Sequence, residues 1–211
     1  MIISVDGADG VGKTSLAKKL AQALNFEFVG HPLWAMLKIK SKNSKRYKFA
    51  HRVQRAIFRF KESSRIVSEV FCNLLLRFKN KNENRNIVLD RGFLSTLIYN
   101  LSPRTIKIFD RYVKRGADFD VNILLTCSKA ERIERIEKRD KNDLDLKFKK
   151  VYNLDSDPTA EYAKSRNLNC IVIDTTEKTE QQVFGEALSK LKQFFTAKAK
   201  PSTAQDFQPT L

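Results

Sequence analysis

Eight consecutive residues near the start of the chain, Gly7-Ala8-Asp9-Gly10-Val11-Gly12-Lys13-Thr14, carry glycines, a lysine and a hydroxyl at the spacing of a phosphate-binding loop. In such a loop, backbone N–H groups converge on phosphate oxygens, and the following helix adds the positive end of its dipole. Lys13 can reach the β- and γ-phosphates, and the Thr14 hydroxyl can ligate Mg²⁺. The loop needs a strand before it and a helix after it. Ile2 to Val5 supplies an apolar-leaning strand, and Ser15 begins an amphipathic run to Leu24. The pattern predicts a site for a nucleoside triphosphate.

A second pair of chemical groups ends another apolar run. Asn86-Ile87-Val88-Leu89-Asp90 is followed at once by Arg91. A strand-end carboxylate beside a phosphate loop can hold Mg²⁺, and an adjacent Arg can clamp a phosphoryl group with its planar fork. A helix cap with a salt-bridged Arg would have the same sequence, since Leu94 onward reads as helix. A third group is Arg132, Arg135 and Arg139, spaced to share one helix face. Glu131, Glu134, Glu137 and Lys138 lie on the same helix, so an ion-paired surface competes with a catalytic role. The loop from Asp140 to Asp143 follows directly. A mobile segment there could carry Arg135 or Arg139 over a transferred phosphate.

These groups must be positioned by alternating elements. Strands are predicted at Ile2 to Val5, Phe26 to Val29, Ile87 to Asp90, Val121 to Cys127 and Cys170 to Asp174. Helices are predicted at Thr14 to Leu24, Phe49 to Phe78, Leu94 to Tyr99, Thr105 to Arg115, Lys129 to Lys138 and Glu180 to Phe195. This alternation predicts an α/β fold: a five-stranded parallel sheet between helical layers, with ligands at the carboxyl ends of the strands. Asn80 to Asn86 reads as a polar loop, and Asp140 to Asp145 as a charged hinge. The folded domain is expected over residues 1–196, with a helical lid at about 135–155. From Ala197 the chain loses periodicity and carries Pro201 and Pro209, which predicts a disordered tail over 197–211.

Composition narrows the class. The 211 residues carry a formal net charge of +16, which favours polyanionic partners. Between Phe28 and Lys61 there is no Asp or Glu, while Lys38, Lys40, Lys42, Lys45, Arg46, Lys48, Arg52, Arg55, Arg59 and Lys61 crowd together. That stretch suits nucleic acid or phosphate, or a solvated helix face. Only His31 and His51 are present, and Cys72, Cys127 and Cys170 lack metal-ligand spacing, so a His or Cys metal centre is not expected. No run is long and apolar enough to span a membrane, and the chain opens on a strand, so a soluble cytoplasmic protein is expected.

Over residues 1 to about 195 the sequence resembles the thymidylate kinase family of P-loop kinases. Val5-Asp6 and the phosphate loop look like the family's own, including its inner acidic residue, here Asp9. The stretch Asp90-Arg91-Gly92-Phe93-Leu94-Ser95-Thr96-Leu97-Ile98-Tyr99-Asn100 looks like its Asp-Arg motif and following helix. The resemblance implies a P-loop kinase fold, ATP and Mg²⁺. It implies that Gly7, Asp9, Gly10, Val11, Gly12, Lys13, Thr14, Ser15, Asp174 and Thr175 hold the nucleotide donor. It places Asp9 on the acceptor sugar, Arg91 on the acceptor phosphate, and Arg65, Ser95, Tyr99 and Asn100 near the acceptor base. Asn100 stands where Gln is usual. Arg135 and Arg139 resemble the lid arginines, and the family often forms homodimers.

One departure concerns Val29-Gly30-His31-Pro32-Leu33-Trp34, where the family shows Arg-Glu-Pro and deoxynucleoside kinases show a general-base Glu before the Pro. His31 stands there instead. The expected activity is transfer of the ATP γ-phosphoryl group to a nucleoside monophosphate, dTMP above others. A deoxynucleoside or polynucleotide 5′-hydroxyl kinase is the alternative, and would need a carboxylate beside the attacking hydroxyl. A nucleotide-dependent nucleic-acid-binding protein using the Lys38–Lys61 stretch is a third reading, of another class.

Overall fold

The computed structural model describes residues 1–30, 45, 48–49, 52, 62–99, 102–113, 119–139 and 157–199. Five strands form one parallel sheet: β1 (Ile2–Gly7), β2 (Glu27–Val29), β3 (Ile87–Asp90), β4 (Val121–Thr126) and β5 (Cys170–Asp174). Their order across the sheet is β2-β3-β1-β4-β5. The helices are α1 (Lys13–Leu24), α2 (Glu62–Glu83), α3 (Phe93–Tyr99), α4 (Pro103–Val113), α5 (Lys129–Arg139), α6 (Asp157–Ser165) and α7 (Glu180–Ala199). No helix among the described residues is long and apolar enough to cross a membrane.

Every residue of β1 and β3 is buried, as apolar runs covered on both faces require. Val5 pairs with Asp90 on one side and Ile123 on the other, so the phosphate loop, Asp90 and the end of β4 share one rim. The connections leaving β1 and β4 run to opposite flanks of the sheet. That reversal opens a crevice at their adjacent carboxyl ends. One core cluster joins β1, β4 and β5 to α1 and α7; another joins α3 and α4 to Tyr162 of α6. At the sheet edge, Val172 of β5 is exposed, and Lys190 Nζ of α7 donates to its carbonyl at 2.9 Å.

All five strands and their parallel arrangement match the sequence reading, with ends shifted by a residue or two. The helix expected at Phe49 to Phe78 differs more. Its described part, α2, runs on to Glu83, into the first half of the Asn80 to Asn86 stretch expected as a loop. Lys and Asn end that helix without breaking it, and Asn84 at φ +47° turns the chain out. Helix α6 was not anticipated. Its Asp157-Pro158 start suits a helix, since Pro fits the first turn. Helix α7 continues to Ala199, past the point where a disordered tail was expected at Ala197. The rest of that tail, and the lid after Arg139 up to residue 155, lie outside the described residues.

Helix α6 is held by packing and charge together. Tyr162 donates its hydroxyl to Asp110 Oδ1 at 3.0 Å, and Arg166 grips both oxygens of Asp110 from Nε at 2.9 Å and Nη2 at 3.0 Å. Phe109 is fully buried beside Asp110 and stacks on Phe93 with ring centroids 5.7 Å apart. Truncating Phe109→Ala opens a cavity where α3, α4 and α6 meet, and is expected to remove about 3–5 kcal/mol of stability. Urea unfolding of the variant against the parent checks it.

Candidate active site

The loop after β1 is shaped by backbone geometry. Gly10 has φ +88°, and a Cβ there would stand 2.6 Å from the Arg132 carbonyl oxygen. Gly12 has φ +91° and faces open space, with nothing within 4 Å of a Cβ position. Gly12 is also the N-cap of α1 and offers no side-chain acceptor to the first-turn N–H groups. Those donors therefore point into an open cradle at the positive end of the helix, an arrangement suited to phosphate.

Lys13 is nearly buried, at 5% exposure. Its Nζ donates to the Ala8 carbonyl at 2.5 Å and lies 3.4 Å from Asp9 Oδ1. Burial, helped by the nearby Arg91 charge, pushes Lys13 down to about 8, against the pull of Asp9 and Asp90. Asp9 is a hub: Arg91 Nη2 donates to Oδ1 and the Tyr99 hydroxyl to Oδ2, each at 2.5 Å. Burial alone would raise Asp9, but Lys13, Arg91 and the Tyr99 hydrogen bond hold it at about 2. Arg91 is stabilised in its charged form by Asp9 despite its own burial.

Arg91 has φ +77°, in the left-handed region that non-glycine residues avoid. The strain is of order 1–3 kcal/mol and persists only if neighbours over-determine it. They do: Arg91 N donates to Val5 O at 3.0 Å, and Asp6 Oδ1 accepts from Gly92 N at 2.8 Å. Asp6 Oδ1 also accepts from Ser95 N and Ser95 Oγ, both at 2.7 Å. The Ser95 hydroxyl, expected near an acceptor base, is thus engaged inside the fold. Asp6 was not singled out from sequence. Its place at the end of a buried strand, where an apolar residue is the rule, was the available signal.

Thr14 Oγ1 donates to Asp90 Oδ2 at 2.6 Å. Asp90 Oδ1 is buried and has no partner among the described residues. Two hard oxygen donors therefore sit together under the loop, one of them unsatisfied, which fits Mg²⁺. A cavity of about 560 Å³ extends from the loop. Gly10, Val11, Gly12, Lys13, Thr14 and Ser15 line its phosphate end. Arg135, Arg139, Thr175, Lys178, Glu180 and Val183 complete its wall. Arg135 Nη1 donates to Thr175 Oγ1 at 3.1 Å, and Nη2 to Thr175 O at 2.7 Å. Asp174 Oδ1 instead accepts from Thr176 N and Oγ1, at 3.0 and 2.7 Å, and fixes the turn after β5.

The structure thus brings together Gly7, Asp9, Gly10, Val11, Gly12, Lys13, Thr14, Ser15, Asp90, Arg91 and Tyr99, with Arg135, Arg139 and Thr175 across the cavity. Arg65 falls on α2, and its side chain lies outside the description. Asn100, His31 and nearly all of the Lys38–Lys61 stretch lie outside the described residues. Lys178, Glu180 and Val183 carry no motif of their own, and only the fold places them at the cavity.

Residues 3–162 match the family described as AAA domain. A probable thymidylate kinase of Methanococcus maripaludis is 28% identical over 200 residues, spanning 90% of this chain and 94% of that protein. One from Methanococcus vannielii is 26% identical over 195 residues, spanning 87% and 91%. Among solved structures, deoxyadenosine kinase from M. mycoides with bound dATP aligns at a TM-score of 0.57 and 18% identity, covering 91% of this chain and all 100% of that one. Thymidylate kinase from Ehrlichia chaffeensis aligns at 0.57 and 17%, covering 91% and 98%. At these identities the structural likeness establishes the fold.

The depressed carboxyl of Asp9 is also a stability term. A group with a lowered folded pKa contributes above its unfolded value, and the contribution is lost as pH falls through the folded value. For Asp9 that window runs from about 4 to about 2. The parent is expected to lose on the order of 1–2 kcal/mol more than Asp9→Asn between pH 4.5 and pH 2. Urea midpoints of the two proteins across that range check it; parallel curves would exclude the assignment.

Proposed function

The chain belongs to the AAA domain family, and on that premise we propose a nucleoside-monophosphate kinase that transfers the γ-phosphoryl group of ATP to dTMP. The observation that carries this reading is the state of Asp9. It takes charge or hydrogen bonds from Lys13, Arg91 and Tyr99 and is held at about 2. A carboxylate so stabilised is a poor base. The other carboxylate at the rim among the described residues, Asp90, accepts from Thr14 through Oδ2, and its remaining oxygen is assigned to Mg²⁺. A 5′-hydroxyl acceptor needs a base to take its proton, whereas a monophosphate arrives already anionic. The name shared by these Methanococcus relatives, probable thymidylate kinase, supports dTMP as that acceptor.

The roles follow from position. Backbone N–H groups of Gly10 to Thr14, with Lys13, bind the donor phosphates. Thr14 and Asp90 would hold Mg²⁺, which when bound neutralises charge on the phosphates. Arg91, turned toward the loop by its strained backbone, holds the acceptor phosphate through its planar fork. Asp9 and Tyr99 fix that guanidinium and border the acceptor sugar and base. Arg139, at the end of α5 and on the cavity wall, faces the transferred group and balances its developing charge. Ser95 acts on the acceptor side by anchoring α3, while Arg65 and Asn100 are assigned to the acceptor base by their place in the sequence motif. Thr175 walls the donor base, and Asp174 shapes its turn. Catalysis is then positioning and charge neutralisation, with no covalent enzyme intermediate.

Three experiments test this. Lys13→Ala is expected to fold and to lose roughly 100- to 1,000-fold in kcat, as for loss of one preorganised charge at a reacting centre. A variant that turns over normally would end the assignment. Arg91→Ala is expected to raise KM for the monophosphate roughly 10- to 100-fold while ATP binding stays unchanged, since only the acceptor clamp is removed. ATP consumption measured over nucleosides, nucleoside monophosphates and a 5′-hydroxyl oligonucleotide identifies the acceptor, and turnover of a hydroxyl acceptor alone would overturn the reading of Asp9.

A further inference from the structure

Ser128-Lys129-Ala130-Glu131 has the spacing of a capping box, in which the Glu carboxylate returns to the backbone N–H of the Ser that caps the helix. Half of the box is present: Glu131 N lies 3.4 Å from Ser128 Oγ. The return bond is absent. Ser128 N donates instead to Thr176 Oγ1 at 2.9 Å, on the loop after β5. The Glu131 carboxylate spans outward to two other partners. Its Oε1 accepts from Arg135 Nη2 at 2.5 Å, and its Oε2 accepts from Glu177 N at 2.8 Å. Glu177 itself has φ +57°, a left-handed conformation that an acidic residue adopts only when held.

One carboxylate thus joins the first turn of α5, the arginine one turn later, and the loop between β5 and α7. The same loop supplies Thr175 and Lys178 to the cavity wall that the phosphate loop does not provide. Both terminal nitrogens of Arg135 are committed to that wall and to Glu131. Those bonds fix the plane of the guanidinium, whose face suits stacking on a flat heteroaromatic ring. We infer that Glu131 is a positioning residue for the base of the nucleoside triphosphate donor: it holds Arg135 and the Thr175–Lys178 loop in the arrangement that receives the ring.

This inference rests on the donor reading above and needs no acceptor, so direct binding separates the two. The probes are Mg–ATP and Mg–tripolyphosphate, which share the phosphate loop and differ in the nucleoside. In calorimetric titration of the full chain, Glu131→Gln is expected to weaken Mg–ATP roughly tenfold and to leave Mg–tripolyphosphate within about twofold. Arg135→Ala is expected to weaken Mg–ATP similarly, and the double variant to add nothing further, as for two residues acting as one unit. Arg135→Lys keeps the charge without the fork and is expected to reproduce the loss. Unchanged ATP affinity in Glu131→Gln overturns the inference, as does equal weakening of both probes, which marks a general structural role. A parent chain that binds neither probe overturns the donor reading and this inference with it. A parent that binds Mg–ATP but phosphorylates no monophosphate overturns only the acceptor assignment.

Discussion

A carboxyl group with no solvent exposure sits in the central strand of the sheet, and the active face is hung from it. Asp6 accepts four hydrogen bonds, from Gly92 N, Ser95 N, Ser95 Oγ and Ser4 Oγ. Burial pushes its pKa up, and the hydrogen bonds from Ser4, Ser95 and Gly92 oppose that shift. Burying such a group without partners would cost several kcal/mol, so its saturation is a condition of the fold. Its oxygens tie β1 to the turn after β3 and to the start of α3. That tie fixes where Arg91 and Tyr99 emerge. Three residues on from Asp6, the loop leaving that strand delivers Asp9 to meet both of them. The distance between loop and clamp is therefore set beneath the surface.

Above that anchor the charges are concentrated. Lys13 and Arg91 both pair with Asp9, and Asp90 lies close enough to act on each of them. The open N-terminus of α1 adds the positive end of its dipole. A polyphosphate meets donors already oriented toward it and requires little reorganisation to be held. The strained backbone at Arg91 belongs to the same arrangement, because a relaxed turn would aim the guanidinium elsewhere.

Much of this was legible in the sequence where a residue acts through its own backbone or its immediate neighbours. The loop from Gly7 to Thr14, the strands and their parallel order follow from glycine spacing and apolar runs. Asp90 and Thr14 meet as strand-end logic requires, at 2.6 Å. What escaped depends on contacts distant in sequence. Asp6 is informative only once Gly92 and Ser95 are known to lie over it, across 86 and 89 residues. Glu131 reads as one acid of an ion-paired helix surface, because its partner Glu177 is 46 residues away. Helix α6 escaped for a related reason: its stability comes from Asp110 and the Phe93–Phe109 cluster rather than from its own short pattern. Helix α2 overran its expected end because polar residues stop a helix only when one of them leaves the helical backbone region.

At the margin of the sheet, Val172 turns outward, and its carbonyl is taken by Lys190 from the neighbouring helix. An open edge strand is a template on which another chain can add its own strand. A charged side chain laid on that carbonyl removes one of the acceptors such growth requires and brings a solvated ammonium beside the apolar valine. The last strand thereby carries its own guard against edge-to-edge association, drawn from the helix that also packs over the nucleotide cavity. Edge protection and ligand-site architecture in this chain share one helix, so changes along α7 act on both.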